Sequence, residues 1–341
     1  MAIVTKRDTL LLAFLTASFG TRALPPTIRL RYIQSFANWL GALWYRFDRP
    51  HAMFVRKNLQ SLLGHRLPAF RLDVMARAYF QNFTLGLLMN DMLPTLTLSD
   101  MQQFLSLEGA EHLEHALSLG RGVVLLGAHF GLHGYTALMF IQRLGYPIAV
   151  VTQEGLEHGT KSWFDRRVVT PIRYRFHDHM RTIARTGVPQ RAMADCLRQN
   201  HILLIMGDVL DQEALRPSPP NVLPAPLLDH SIPLNTGPFR LARWLNTPVV
   251  PFFMVPRPAG FTLVIQPPLE LSQGNSTKGL LADLAAFTAR LELYILRDPE
   301  LWFACNRRDL QDLFVPSATK EDGYCRTNSS ACAASPQQQQ S

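Results

Sequence analysis

His129 stands where an apolar run stops. Residues 122–128, Gly-Val-Val-Leu-Leu-Gly-Ala, carry no polar side chain, which is how a strand buried on both faces of a parallel sheet reads. Phe130 and Gly131 follow, and then Tyr135 to Leu144 place apolar residues at helical spacing, so an imidazole sits at a strand-to-helix junction. Such junctions line the crevice at the carboxyl edge of an open α/β sheet. Neutral imidazole is the side chain suited to take a proton at neutral pH. A helix starting just after it offers backbone N–H groups around Phe130, Gly131 and His133 that suit a phosphate or a developing oxyanion. The positive end of that helix keeps the imidazole neutral but opposes the charge it gains in reaction. A carboxylate against the other ring nitrogen corrects this.

Candidates for that carboxylate lie at neighbouring strand ends. Asp208 terminates the strand expected over 201–207 and is followed by Asp211, while Gln153 and Glu154 terminate the strand expected over 147–152. Asp208 is the first choice of partner, and Gln153 and Asp211 join the substrate-binding candidates. His129 and His133 have the spacing of a metal pair only if both lie on one helix, and the Glu of a His-Glu-x-x-His motif is missing, so no metal is expected. No Gly-x-Ser-x-Gly elbow occurs, which argues against a serine acyl-enzyme.

The elements that position these residues follow a rhythm. Residues 1–105 read as helices. From Gly122 onward, strands at 122–128, 147–152 and 201–207 alternate with helices at 132–143 and 189–199, with a helical arginine-rich region before the second of these. Further strands are expected at 249–255 and 261–266. This is an α/β fold, a mixed, mostly parallel sheet flanked by helices, preceded by an N-terminal helical region. The expected units are 1–105 as a helical membrane-associating region, 106–315 as the α/β domain and 316–341 as a polar, disordered tail ending in Gln-Gln-Gln-Gln-Ser. Pro217 to Pro226 is too rich in proline for regular structure and reads as a loop.

With 341 residues, 47% of them hydrophobic and 18% charged, the chain is large enough for one ample core. The net charge is +8, and only five of 34 basic residues are lysine. Arginine binds phosphate and carboxylate through a planar fork, so anionic membrane surfaces and acidic carriers are fitting partners. No zinc-finger spacing, RNP pattern or heptad occurs, so no nucleic acid is expected. The arginines 166, 167, 173, 175, 181 and 185 suit phosphopantetheine or an acidic carrier, or simply a solvated helix face. Cys196, Cys305, Cys325 and Cys332 form no Cys-x-x-Cys pair, which makes a reducing compartment the default. Residues 9–20 are apolar but shorter than the roughly 20 residues needed to span a bilayer. Residues 36–47 hold two tryptophans and a tyrosine. Both segments suit a membrane surface, or packing against the α/β domain.

The order of motifs resembles that of the lipid A late acyltransferases, the lauroyl and myristoyl transferases of the lysophospholipid acyltransferase superfamily. The resemblance runs through Gly-Ala-His129-Phe-Gly, Leu203-Leu-Ile-Met-Gly-Asp208, Leu210-Asp-Gln212, Pro226-Leu-Leu, Thr236-Gly237, Leu241-Ala-Arg243, Thr247-Pro-Val-Val-Pro-Phe-Phe253, Pro267-Pro-Leu-Glu270 and Asp298-Pro-Glu-Leu-Trp302 with Arg307-Arg308. Val55-Arg-Lys-Asn-Leu59 is similar to an upstream signature of the family. It implies an O-acyltransferase that needs no cofactor beyond an acyl thioester donor on acyl carrier protein or CoA. The implied acceptor is a lipid or glycolipid hydroxyl, and the implied place is the cytoplasmic face of the inner (cytoplasmic) membrane. Thr236 and Arg243 join the substrate-binding candidates. One position departs: five residues after the histidine the family has Asp or Glu, and here Gly134 stands. Either another strand supplies the acid or this is a divergent, non-catalytic member that binds lipid or carrier.

Overall fold

A computed structural model describes residues 24–316 apart from 67, 133, 153–180, 185–188, 209–220, 259, 275, 308 and 309, together with Thr16, Gly20 and Thr21. Helices come first: α1 (Pro26–Phe47), α2 (Arg49–Leu63), α3 (Ala69–Met92) and the short α4 (Leu98–Gln102). Their ends are set locally. Pro26 opens α1, where a fixed φ fits and no N–H is needed. Asp48 closes α1 and caps α2 by accepting from the His51 amide. A reciprocal Thr97–Asp100 capping box starts α4.

The alternating part follows as β1 (Leu105–Glu108), α5 (Ala110–Ser118), β2 (Val123–Gly127), α6 (Gly134–Arg143), β3 (Ile148–Thr152), β4 (Arg181–Ala184), α7 (Pro189–Arg198) and β5 (Ile202–Met206). Next are β6 (Val222–Leu227), β7 (His230–Asn235), α8 (Gly237–Leu245), β8 (Val249–Arg257), β9 (Gly260–Ile265), the long α9 (Thr277–Arg297), α10 (Leu310–Leu313) and β10 (Val315–Pro316). Seven strands form one sheet in the order β1-β9-β8-β2-β5-β3-β4. All neighbours run parallel except β8 and β9, so the sheet is mixed and mostly parallel.

The apolar run of β2 now has its cause. Val124 and Leu126 enter a core shared with α9 and α2, whereas Val123 and Leu125 enter a second core shared with α5 and α6. With a helical layer on each face, no position of the strand meets water. Helix α3 spans both cores, giving Tyr79 and Phe80 to one and Leu88 and Met89 to the other.

Three expectations change. The proline-rich segment is not all loop: from Val222 it is strand β6, paired antiparallel with β7 in a three-stranded sheet ordered β10-β7-β6. Pro224 lies opposite Pro233, a pair with no N–H to offer on either side, and Pro226 repeats that orientation two residues on. An edge strand tolerates prolines whose missing N–H faces away from the ladder. Residues 181–184 of the arginine-rich region are strand, parallel to β3, while 153–180, including Arg166, Arg167, Arg173 and Arg175, lie outside the described residues. Finally, α6 begins at Gly134 rather than at 132. Nearly all of residues 9–20, and all of the polar tail beyond Pro316, are also outside the described residues.

Candidate active site

Adjacent parallel strands carry their next residues out of the sheet side by side. In the β2–β5 register Gly127 is opposite Met206, and the Gly207 amide donates to the Gly127 carbonyl at 2.7 Å. Two residues beyond that register pair, His129 and Asp208 therefore emerge together. The Asp208 Oδ1 is 2.8 Å from His129 Nδ1, and its Oδ2 accepts from the His129 backbone N–H at 2.9 Å. Trp302 Nε1 donates to the same Oδ2 at 3.0 Å. The Asp208 side chain is 1% exposed and that of His129 34%: the carboxylate is sealed while the imidazole reaches the surface of the site.

The electrostatics follow from that asymmetry. Burial pushes the imidazole pKa down, but the Asp208 charge and its hydrogen bond more than offset this and leave it raised above 6.5. With Nδ1 engaged by the carboxylate, Nε2 is the nitrogen left to exchange a proton. The buried thiols Cys196 and Cys305 are free, and burial raises both, Cys305 to about 12. Neither is a thiolate nucleophile at neutral pH.

A segment made of two short 3-10 turns, Pro299–Leu301 and Phe303–Asn306, closes over the strand end. The Phe303 amide donates to the His129 carbonyl at 2.8 Å, and the Gly131 amide to the Leu301 carbonyl at 3.0 Å. Phe130 forms an antiparallel bridge with Trp302, and the Phe303 ring centroid lies 6.1 Å from that of His129. Gly131 has φ +71°, and a Cβ there would lie 2.1 Å from the Met254 carbonyl oxygen. A Gly131→Ala substitution is expected to destabilise the protein by about 3 kcal/mol or more, since left-handed strain and a backbone clash act together. Thermal melting measures this, and an unchanged midpoint would contradict it.

The expected substrate groups separate. Phe130 is buried, with its ring 5.9 Å from that of Tyr294. Its amide donates to Ala128 at 2.7 Å, and that of Gly131 is taken by Leu301, so neither amide is available to an oxyanion. Thr236 is buried at the start of α8, where its hydroxyl donates to the Asn221 carbonyl and accepts from Arg240 Nε, both at 3.0 Å. Arg243 forms a buried ion pair with Asp283. Thr236 and Arg243 thus have local partners, and no contact between either of them and His129 is seen among the described residues. His133, Gln153, Glu154 and Asp211 lie outside the described residues. Sequence reasoning missed Trp302 as a neighbour of Asp208. Its signal was its place in the last shared motif, but nothing in that motif says which side chain its indole N–H meets.

Comparison with known proteins makes the chain an acyltransferase. It belongs to the bacterial lipid A biosynthesis acyltransferase family, whose pattern matches residues 5–309. Among solved structures it is similar to the crystal structure of the 1-acyl-sn-glycerophosphate (LPA) acyltransferase PlsC from Thermotoga maritima. Identity is 12% and the TM-score 0.34, over 78% of this chain and 97% of that one. Among curated proteins, none matches.

Proposed function

We propose that the protein is a membrane-associated O-acyltransferase that moves a fatty acyl group from an acyl carrier protein or CoA thioester to a lipid or glycolipid hydroxyl. His129 is its general base and Asp208 the carboxylate that the position of Gly134 lacks. The observation carrying this reading is the 2.8 Å contact between Asp208 and His129 Nδ1, which also favours it over a non-catalytic member. In the reaction, Nε2 takes the proton of the acceptor hydroxyl as its oxygen attacks the thioester carbonyl. The attack gives a tetrahedral oxyanion on the former carbonyl oxygen, beside the start of α6, where a helix's positive end favours negative charge. The C–S bond then breaks, the leaving thiolate takes the proton back from the imidazolium, and ester and thiol depart. Asp208 stabilises the imidazolium and holds its tautomer. The test is transfer of a labelled acyl chain from acyl carrier protein into a membrane lipid extract, with His129→Ala as the control. No transfer by the wild type under these conditions, or from acyl-CoA, would count against the reading.

The helical layer supports a membrane surface as partner, at the cytoplasmic face of the inner membrane. Ile28, Tyr32, Trp39 and Phe47 of α1 are all exposed, and at 100° per residue they fall on one face about 28 Å long. Phe36 lies between them, its ring 6.1 Å from Tyr32 and 5.7 Å from Trp39. Residues 26–77 hold nine Lys and Arg against two Asp, nine minus two giving +7, which suits an anionic bilayer. No helix among the described residues is long and apolar enough to cross a membrane, so this face lies along the surface. Replacing Trp39 and Phe47 together by Ser is expected to weaken co-sedimentation with anionic vesicles by at least about tenfold, given ~2 kcal/mol for each large apolar side chain buried. Unchanged co-sedimentation would exclude this face.

A further inference from the structure

Asp208 is held by more than the histidine it serves. Its Oδ2 accepts two hydrogen bonds, from the His129 amide at 2.9 Å and from Trp302 Nε1 at 3.0 Å. Two donors converging on one oxygen fix the rotation of the carboxyl group, and the other oxygen is thereby aimed at Nδ1. Of these donors, only the indole N–H comes from outside the strand ends that carry the pair. It is fixed from both sides. On one side, the segment around Trp302 is tied to the strand end through the Phe303 amide on the His129 carbonyl and the Gly131 amide on the Leu301 carbonyl. On the other, Asn58 of α2, itself buried, donates through Nδ2 to the Cys305 carbonyl at 2.9 Å and the Arg307 carbonyl at 2.8 Å. His51, also on α2, hydrogen-bonds the Asn306 side chain. The indole is fully buried, at 0% exposure, so no water competes for the carboxylate at that point.

We propose that Trp302 is a positioning residue for acyl transfer, acting through its indole N–H on Asp208 to keep the carboxylate turned toward His129 Nδ1. The proposal rests on His129 and Asp208 being the reacting pair. Trp302 touches neither acceptor nor thioester in this role. Its contribution is to kcat, through the orientation and tautomer of the base, and not to substrate affinity.

The test replaces Trp302 by 3-benzothienylalanine, which keeps the bicyclic shape and puts sulfur where the N–H stood. Trp302→Phe is the second variant. Two quantities are read: the kcat and KM for transfer from acyl carrier protein, and the downfield proton signal of His129 Nδ1–H in the substrate-free enzyme. The expected result is a kcat about tenfold lower, in line with loss of a hydrogen bond to a charged group, with KM within twofold. The Nδ1–H signal is expected to move upfield or broaden, while the benzothienyl variant melts close to wild type. An unchanged signal overturns the proposal whatever happens to kcat, because a packing role alone would leave the hydrogen bond in place. An unchanged kcat with a shifted signal also overturns the catalytic part. If the wild type transfers no acyl chain, the reading of His129 as a base fails, yet the proton signal still decides whether Trp302 positions Asp208.

Discussion

His129→Ala is expected to lower acyl transfer by a factor of about 100 to 10,000, the usual range for loss of a positioned acid-base group. The fold should survive. His129 contributes to the strand-end network through its backbone as well as its ring: its amide donates to Asp208, and its carbonyl accepts from Phe303. Both bonds are open to alanine. The ring itself is about one-third exposed and is no part of either core, so its removal leaves no sealed cavity. Asp208 keeps two of its three donors among the described residues, which limits the cost of a buried carboxylate losing its imidazole. Purified variant with a wild-type circular dichroism spectrum, assayed for labelled acyl transfer, gives the measurement. Turnover within a few-fold of wild type would remove His129 from the chemistry and leave the pair as a structural contact.

How far the sequence reaches is shown by individual elements. Strand β2 was legible because both of its faces are covered, which leaves five successive buried residues in a glycine-bounded run that opens on β-branched valines and is too short for a helix. Strand β6 was not, because prolines normally exclude a strand, and only its edge position with Pro224 opposite Pro233 removes the objection. Strand β4 was hidden by arginines that read as a solvated helix, although its pairing with β3 places it at the sheet edge, where polar side chains find water. The apolar spacing alone places the start of α6 two residues too early. Phe130 is held in a bridge to Trp302 and Gly131 in a left-handed turn, and both contacts depend on residues some 170 positions away.

The site divides in the same way. Asp208 could be proposed from sequence because two parallel strands in one sheet end at one edge, and the acid at the end of the second is the natural reach for a histidine at the end of the first. Arg243 could not be placed. An arginine's chemistry fits a phosphate and a carboxylate equally, and its partner, Asp283, lies 40 residues on in a helix that the sequence reading did not assign. Trp302 escaped for the same reason. A tryptophan in an apolar setting reads as core, and core it is, yet its one polar atom is spent on the one acid that the histidine needs.

Asp208→Asn is expected to reduce kcat/KM by at least about 100-fold and to change its pH dependence. An amide is nearly the same size, so the sealed pocket stays filled, but it cannot accept three hydrogen bonds and carries no charge to stabilise an imidazolium. If its NH2 faces Nδ1, the proton moves to Nε2 and the base is blocked in the wrong tautomer. In the wild type the imidazole pKa is raised above 6.5, and the base works only when neutral, so activity should fall as pH drops through that raised value. Without the Asp208 charge, burial is the dominant influence left on the imidazole and it acts downward, so the acid limb of the variant's profile should move to lower pH. Stability should respond with the opposite sense. A group whose folded pKa lies above its unfolded value stabilises the fold fully below the unfolded value and loses that contribution as pH rises through the folded one. The wild type should therefore lose part of its melting temperature between about pH 6.5 and the raised His129 value, and the variant should not. Profiles of kcat/KM and of melting temperature across that window test both statements. An acid limb that stays in place when Asp208 becomes Asn would mean that another carboxylate sets the charge of His129.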